Sequence, residues 1–179
     1  MIRRALFVML LLSGCGSVSA YAQQCPGAGA PAATFGVGGL VVSPTIFDQS
    51  RLQLLPQAQE NVTFFASGAV TTASYTGVLL WDLLNNSPVG GIVTDPNVKN
   101  DILHKVVIVT GSDCYQAVFG AGELDPAFGD SQVMIAFASN GQPLGSEGFA
   151  KLIAPGDKEG GRFVSNIVWI VVRDPTYFR

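Results

Sequence analysis

The side chains of this chain that could do chemistry are few. There are three cysteines (Cys15, Cys25 and Cys114), a single histidine (His104), and ten lysines and arginines spread over 179 residues. The most suggestive of them, Cys114, sits in the stretch VVIVTGSDCYQAVF between Asp113 and Tyr115. A nucleophilic cysteine needs a base or cation beside it to lower its pKa, and zinc needs three or four ligands. With one histidine and no C-x-x-C, a zinc site is not expected. What remains is a reactive thiol or a structural one. Asp113 could act as a general base, but an aspartate in a turn commonly bonds the backbone two residues on.

The start of the chain sets the redox context of these thiols. MIRRALFVMLLLSGCGSVSAYAQQ has two arginines, an apolar run and then small residues. This is the layout of a bacterial export signal, with an apolar run too short to cross a bilayer. Ala20-Tyr21-Ala22 is an A-x-A cleavage site that would leave Gln23 first. Alternatively, Leu12-Ser13-Gly14-Cys15 resembles the lipobox of bacterial lipoproteins, with Cys15 acylated and serving as a membrane anchor. Either way the chain is expected to be exported, to the periplasm or beyond, with residues 1–22 as signal and 23–33 as a flexible Pro/Gly/Ala-rich start. Residues 34–179 would form one domain, since the length suits a single core. Cys25 and Cys114 then remain as an even pair in an oxidising compartment, which reads as a disulfide. Closing so long a loop is worth about 4–5 kcal/mol in the chain-entropy account. Without residues 1–22, eight Lys and Arg face thirteen Asp and Glu, a net charge of −5. Such a chain has no basic footprint for nucleic acid, and a membrane is expected as partner only through Cys15.

The elements that would position these residues follow from spacing. TFGVGGLVVSP reads as a glycine-interrupted strand ended by proline. Asp48 is placed to cap a short helix through QSRLQLL, stopped by Pro56. NVTFFASG alternates, with Val62, Phe64 and Ala66 on one face. YTGVLLWDLLNN has the apolar spacing of two to three helical turns from about Thr76. KVVIVTG and CYQAVFG read as adjacent strands, and DSQVMIAFASNGQPL as a buried strand ending in an Asn140-Gly141 turn. FAKLIAPGDKEGG and RFVSNIVWIVV close the chain as strands around a charged loop, with Trp81 and Trp169 expected in the core. Two short helices among about seven strands, without regular βαβ alternation, predict an α+β fold with mixed or antiparallel sheets.

The order of these pieces resembles the molybdopterin-binding domain of the sulfite oxidase family. The pieces that carry it are the Tyr-x-Gly-Val-x-Leu-x-x-Leu-Leu segment, the strand-turn-strand with Asp-x-Tyr, the Asn-Gly-x-Pro-Leu turn, the Lys-Leu-x-x-Pro-Gly strand end and the closing Ile-Val-Trp-Ile. The match runs from about Thr34 to Arg173. The resemblance implies an α+β fold and a molybdenum cofactor held through its pterin and phosphate, with one cysteine thiolate on the metal. In that family the thiolate lies between the alternating strand and the Tyr-x-Gly-Val segment, which here is ASGAVTTASYTGV, Ala66 to Val78, without cysteine. A hydroxyl is a poor replacement for a soft thiolate. No Lys, Arg or His occurs from Leu52 to Val98, although the family places a cationic pocket there. Where its cofactor binders carry a lysine, this chain reads Val164-Ser165-Asn166. Molybdenum is therefore not expected, while molybdopterin stays open. Lys105, Lys151 and Arg162 become the candidate anion contacts, and Asp113 and Tyr115 weaker ones, because they flank the strand ends that the family turns toward its cofactor. Cys114 corresponds to the glycine of the family's Asp-Gly-Tyr turn, not to the ligating cysteine. The expected function is a binding or accessory module, with a small ligand or a redox or envelope protein as partner. The alternatives are a small molybdopterin-dependent oxidoreductase and a lipid-anchored interaction module.

Overall fold

A computed structural model describes residues 31–177. The expected signal, Cys15 and Cys25 lie outside the described residues. Within them the chain forms ten strands in two five-stranded sheets.

The first elements follow the sequence closely. Strand β1 (Phe35–Gly39) ends where Gly39 takes φ +83. A Cβ on Gly39 would come within 2.1 Å of the Val172 carbonyl oxygen, so only glycine fits. β2 (Thr45–Phe47) leads into helix α1 (Gln49–Gln53), whose first turn is capped by Asp48 accepting the Arg51 N–H at 2.8 Å. β3 (Ala58–Ala66) alternates as expected, with Val62 and Phe64 buried and Thr63 and Phe65 exposed.

The next segment departs from expectation. β4 (Ala69–Leu79) turns back on β3 around Ser67 and Gly68, both at positive φ, and helix α2 is only Leu80–Asn85. Thr76 to Leu79, expected as the start of the helix, are strand paired with residues 134–138. The reason is tertiary. Gly77 packs against the Ile135 and Ala136 backbone at a register shift, and pairing on both edges holds Val78 and Leu79 in the strand, so the helix begins only at Leu80.

A 3-10 turn (Asp101–His104) precedes β5 (Val106–Gly111) and β6 (Gln116–Gly120), after which the short helix α3 (Ala121–Leu124) was not foreseen. β7 (Met134–Ser139) and β8 (Gln142–Pro143) meet at the Asn140-Gly141 turn, both residues at positive φ. β9 (Lys151–Ile153) and β10 (Ile167–Arg173) follow, joined through a 3-10 turn at Gly160–Arg162. The expected strand RFVSN is not one; it touches the sheet through a single Leu152–Val164 bridge.

One sheet has the order β2-β1-β10-β5-β6, with β1 and β10 parallel and the other pairs antiparallel; in the other, β3-β4-β7-β8, β9 also pairs β7. This is the mixed-sheet α+β architecture expected. The main core lies between the sheets, with Phe35, Val107, Val109, Ile170 and Val172 from one and Val78, Ile135 and Phe137 from the other. A smaller cluster around Phe64, Tyr75 and Met134 covers the far face of the second sheet, so β7 is buried on both faces. Trp81 packs against the main core, but Trp169 does not belong to it. Its indole lies over Gly36 on the outer face of the first sheet and is 39% exposed.

Candidate functional site

The turn that carries Cys114 is built as the sequence suggests. Asp113 Oδ1 accepts the Tyr115 N–H at 3.0 Å, so Asp113 is occupied in shaping the turn. Cys114 itself sits at φ +71, the left-handed region that glycine enters freely, in keeping with its place at the family's glycine. Tyr115 is half-exposed, and its hydroxyl donates to the Gly161 carbonyl.

The candidate cations sit in three separate settings. Arg162 follows Gly161, whose carbonyl accepts from the Tyr115 hydroxyl, and its side chain reaches Phe119 of β6, which pairs with Val107 near the start of β5. Its guanidinium grips Asp157 with two bonds of 2.8 and 2.7 Å, sits 3.5 Å from Glu123 Oε2, and stacks 4.6 Å from the Phe119 ring centre. The Asp157 pair, more than the opposing burial, raises its already high pKa. Lys151 is buried at the start of β9 and paired with Glu147, which also accepts from Ser165 Oγ at 3.3 Å. Lys105 lies just before β5. Its ammonium is shared between Asp101 Oδ2 and Asp174 Oδ2, each at 2.7 Å. Burial works to depress the Lys105 pKa, but the two carboxylates more than offset it and the net direction is upward. The same contact, helped by Thr176, lowers Asp174 to about 2, and Lys105 also lowers Asp101.

The structure therefore places Asp113 and Tyr115 in one turn, with Tyr115 against Gly161 beside Arg162, and holds Lys105 and Lys151 in separate ion pairs. It also supplies each cation with its own carboxylate. Sequence reasoning missed those carboxylates, Glu147, Asp157, Asp101 and Asp174, and missed Asn166 as a hub. Asn166 is buried at φ +50; its amide accepts from the Ala32 N–H at 2.7 Å and donates to Ser112 Oγ at 2.7 Å. Its backbone bonds Glu147 and Ser112. The 164–166 segment is thus a structural tie between the closing strand and the turn. Some signal existed in the spacings, since Glu147 to Lys151 and Asp101 to Lys105 are both i, i+4. Tyr75 is also missed: buried beside Ser139 and Glu147, its phenol is raised in pKa, first by burial and then by the Glu147 charge.

With this geometry in view, the family can be stated. The model of the oxidoreductase molybdopterin binding domain matches residues 31–174, and the chain belongs to that family. Among solved structures it is similar to the sulfane dehydrogenase SoxCD from Paracoccus pantotrophus, at 22% identity and a TM-score of 0.63, over 79% of this chain and 38% of that one. At that identity the likeness establishes the fold, and the chain spans well under half of that chain's length. No curated protein matches the sequence.

The residues present do not fit a thiolate-held molybdenum. Ala66 to Val78 forms the end of a β-hairpin whose residues 67–72 are all exposed, and no sulfur lies in it. The three candidate phosphate contacts are already neutralised by carboxylates.

Proposed function

We propose that this chain is an exported binding or accessory module of the molybdopterin-binding family that works without a cysteine-held molybdenum. The observation that carries the reading is the pairing of Arg162, Lys151 and Lys105 with carboxylates of the chain itself. A cofactor phosphate would have to break the bidentate Arg162–Asp157 pair and the aromatic contact on Phe119, leaving a carboxylate without its partner. The test is elemental analysis of protein purified from its native exporting host, with a sulfite oxidation assay beside it. The expected result is no stoichiometric molybdenum and no sulfite oxidation. About one molybdenum per chain, retained through dialysis, overturns the reading in favour of a small molybdopterin-dependent oxidoreductase, which family membership supports. Membrane fractionation separates both from a lipoprotein anchored at Cys15, and a small ligand or a redox or envelope protein is the partner class that suits the module.

The proposal includes a Cys25–Cys114 disulfide. Support comes from the Ala32–Asn166–Ser112 chain of hydrogen bonds, which ties residue 32 beside the turn that carries Cys114. Cys25 precedes Ala32 by seven positions, a reach of up to about 25 Å, ample for the link.

A further inference from the structure

Away from the turn end, the Lys105 end of β5 opens into a cavity of about 610 Å³, within the range of roughly 300–1,000 Å³ that holds small organic ligands. We propose that this cavity is a binding site for a small, uncharged and largely apolar molecule. Its walls are Leu40 and Val93 on one side and Val171 and Val172 of β10 on the other. The wall that lacks regular secondary structure is nevertheless fixed. Leu40 N–H bonds the Val172 carbonyl at 2.9 Å, Val93 N–H bonds the Leu40 carbonyl at 3.0 Å, and Asp95 N–H bonds Asp101 Oδ2 at 2.7 Å. A site whose walls are held this way loses little freedom when a ligand enters.

The charges choose the ligand class. Asp95, Asp101 and Asp174 line the cavity against Lys105 and Arg173, three carboxylates to two cations, a net charge of −1. Lys105 is spent on Asp101 and Asp174. An anion would meet carboxylates it cannot displace, whereas an apolar body gains from every wall contact. The inference shares Lys105 with the molybdenum-free reading but does not depend on it, because neither Tyr115, Lys151 nor Arg162 lines the cavity; dye binding tests one and elemental analysis the other.

Two fluorescent probes that share an anilinonaphthalene body make the test: N-phenyl-1-naphthylamine, which is neutral, and 1-anilinonaphthalene-8-sulfonate, which adds a sulfonate. On the full mature chain, the neutral probe is expected to bind saturably at one site, and the sulfonate at least about tenfold more weakly. Val93→Arg, or Thr94→Arg on the same wall, should weaken the neutral probe by at least about tenfold while leaving the thermal midpoint in place, since both residues are exposed. The double variant Val118→Ser with Trp169→Ser, on the open face of the first sheet, should leave binding unchanged. Absence of saturable binding by the neutral probe overturns the proposal. So does equal affinity for the sulfonate, full binding by both wall variants, or loss of binding in the sheet-face variant alone.

Discussion

Two carboxylates share the ammonium of Lys105, and their titration sets an acid limit on the fold. Asp174 has its pKa lowered from 3.8 to about 2, with the Lys105 contact as the largest cause. A group whose folded pKa is depressed adds stability that is fully present above its unfolded pKa and is lost as pH falls through the folded one. The thermal midpoint is therefore expected to be steady in this respect above about pH 4 and to fall between about pH 4 and 2. Asp101, lowered in the same direction by the same lysine, adds to the fall. Asp174→Asn should lower stability at neutral pH and flatten the acid slope, as read by calorimetry from pH 5 to 2. An unchanged slope would show that the titration of Asp174 is not coupled to folding. Lys105→Met should be more damaging than Lys151→Met, because it strands two carboxylates that are almost fully covered, whereas Glu147 is 40% exposed.

Among the elements, the β3–β4 hairpin contains the segment in which the family places its thiolate, and Gly77 is its critical residue. A Cβ there would sit 2.3 Å from the Ile135 carbonyl oxygen and 2.6 Å from Ala136 Cα, both backbone. Gly77→Ala is expected to cost about 1–3 kcal/mol in a denaturant titration, the usual penalty of overpacking. Gly38→Ala, with nothing within 4 Å of the new methyl, should be neutral or stabilising by about 0.5–1 kcal/mol. The same hairpin marks how far the sequence was legible. Alternation gave β3, the Asp48 cap gave α1, and the Asn140-Gly141 turn gave the end of β7, because in each case a local pattern or a turn residue coincides with the final pairing. Thr76 to Leu79 were misread because their apolar spacing suits a helix and a strand alike, and only pairing with β7 decides between them. Trp169 was misplaced because alternation along β10 cannot say which face is covered. The candidate cations were found by type and position, but their neutralisation was not legible: Asp157 and Arg162, or Lys105 and Asp174, meet only after the loops fold back.

At the scale of the whole molecule, the proposed cross-link between Cys25 and Cys114 would join an early part of the sequence to its middle. Thiol labelling of exported protein, denatured without reductant, is expected to find no free cysteine; two labelled thiols per chain would refute the link. Reduction should lower the thermal midpoint, with about 4–5 kcal/mol as the upper bound on the loss. The first sheet carries a further consequence in its strand order. β1 with β2 forms one hairpin-like pair and β5 with β6 another, and β10 lies between them, bonded to β1 on one side and β5 on the other. The strand latest in the sequence is thus the middle of the sheet. Without it the two strand pairs have nothing between them, open edges on both, and Ile167, Ile170 and Val172 missing from the main core. Docking of β10 and closure of the first sheet are one event, so a chain in which β10 is displaced is expected to expose the edges of β1 and β5 to pairing with other chains.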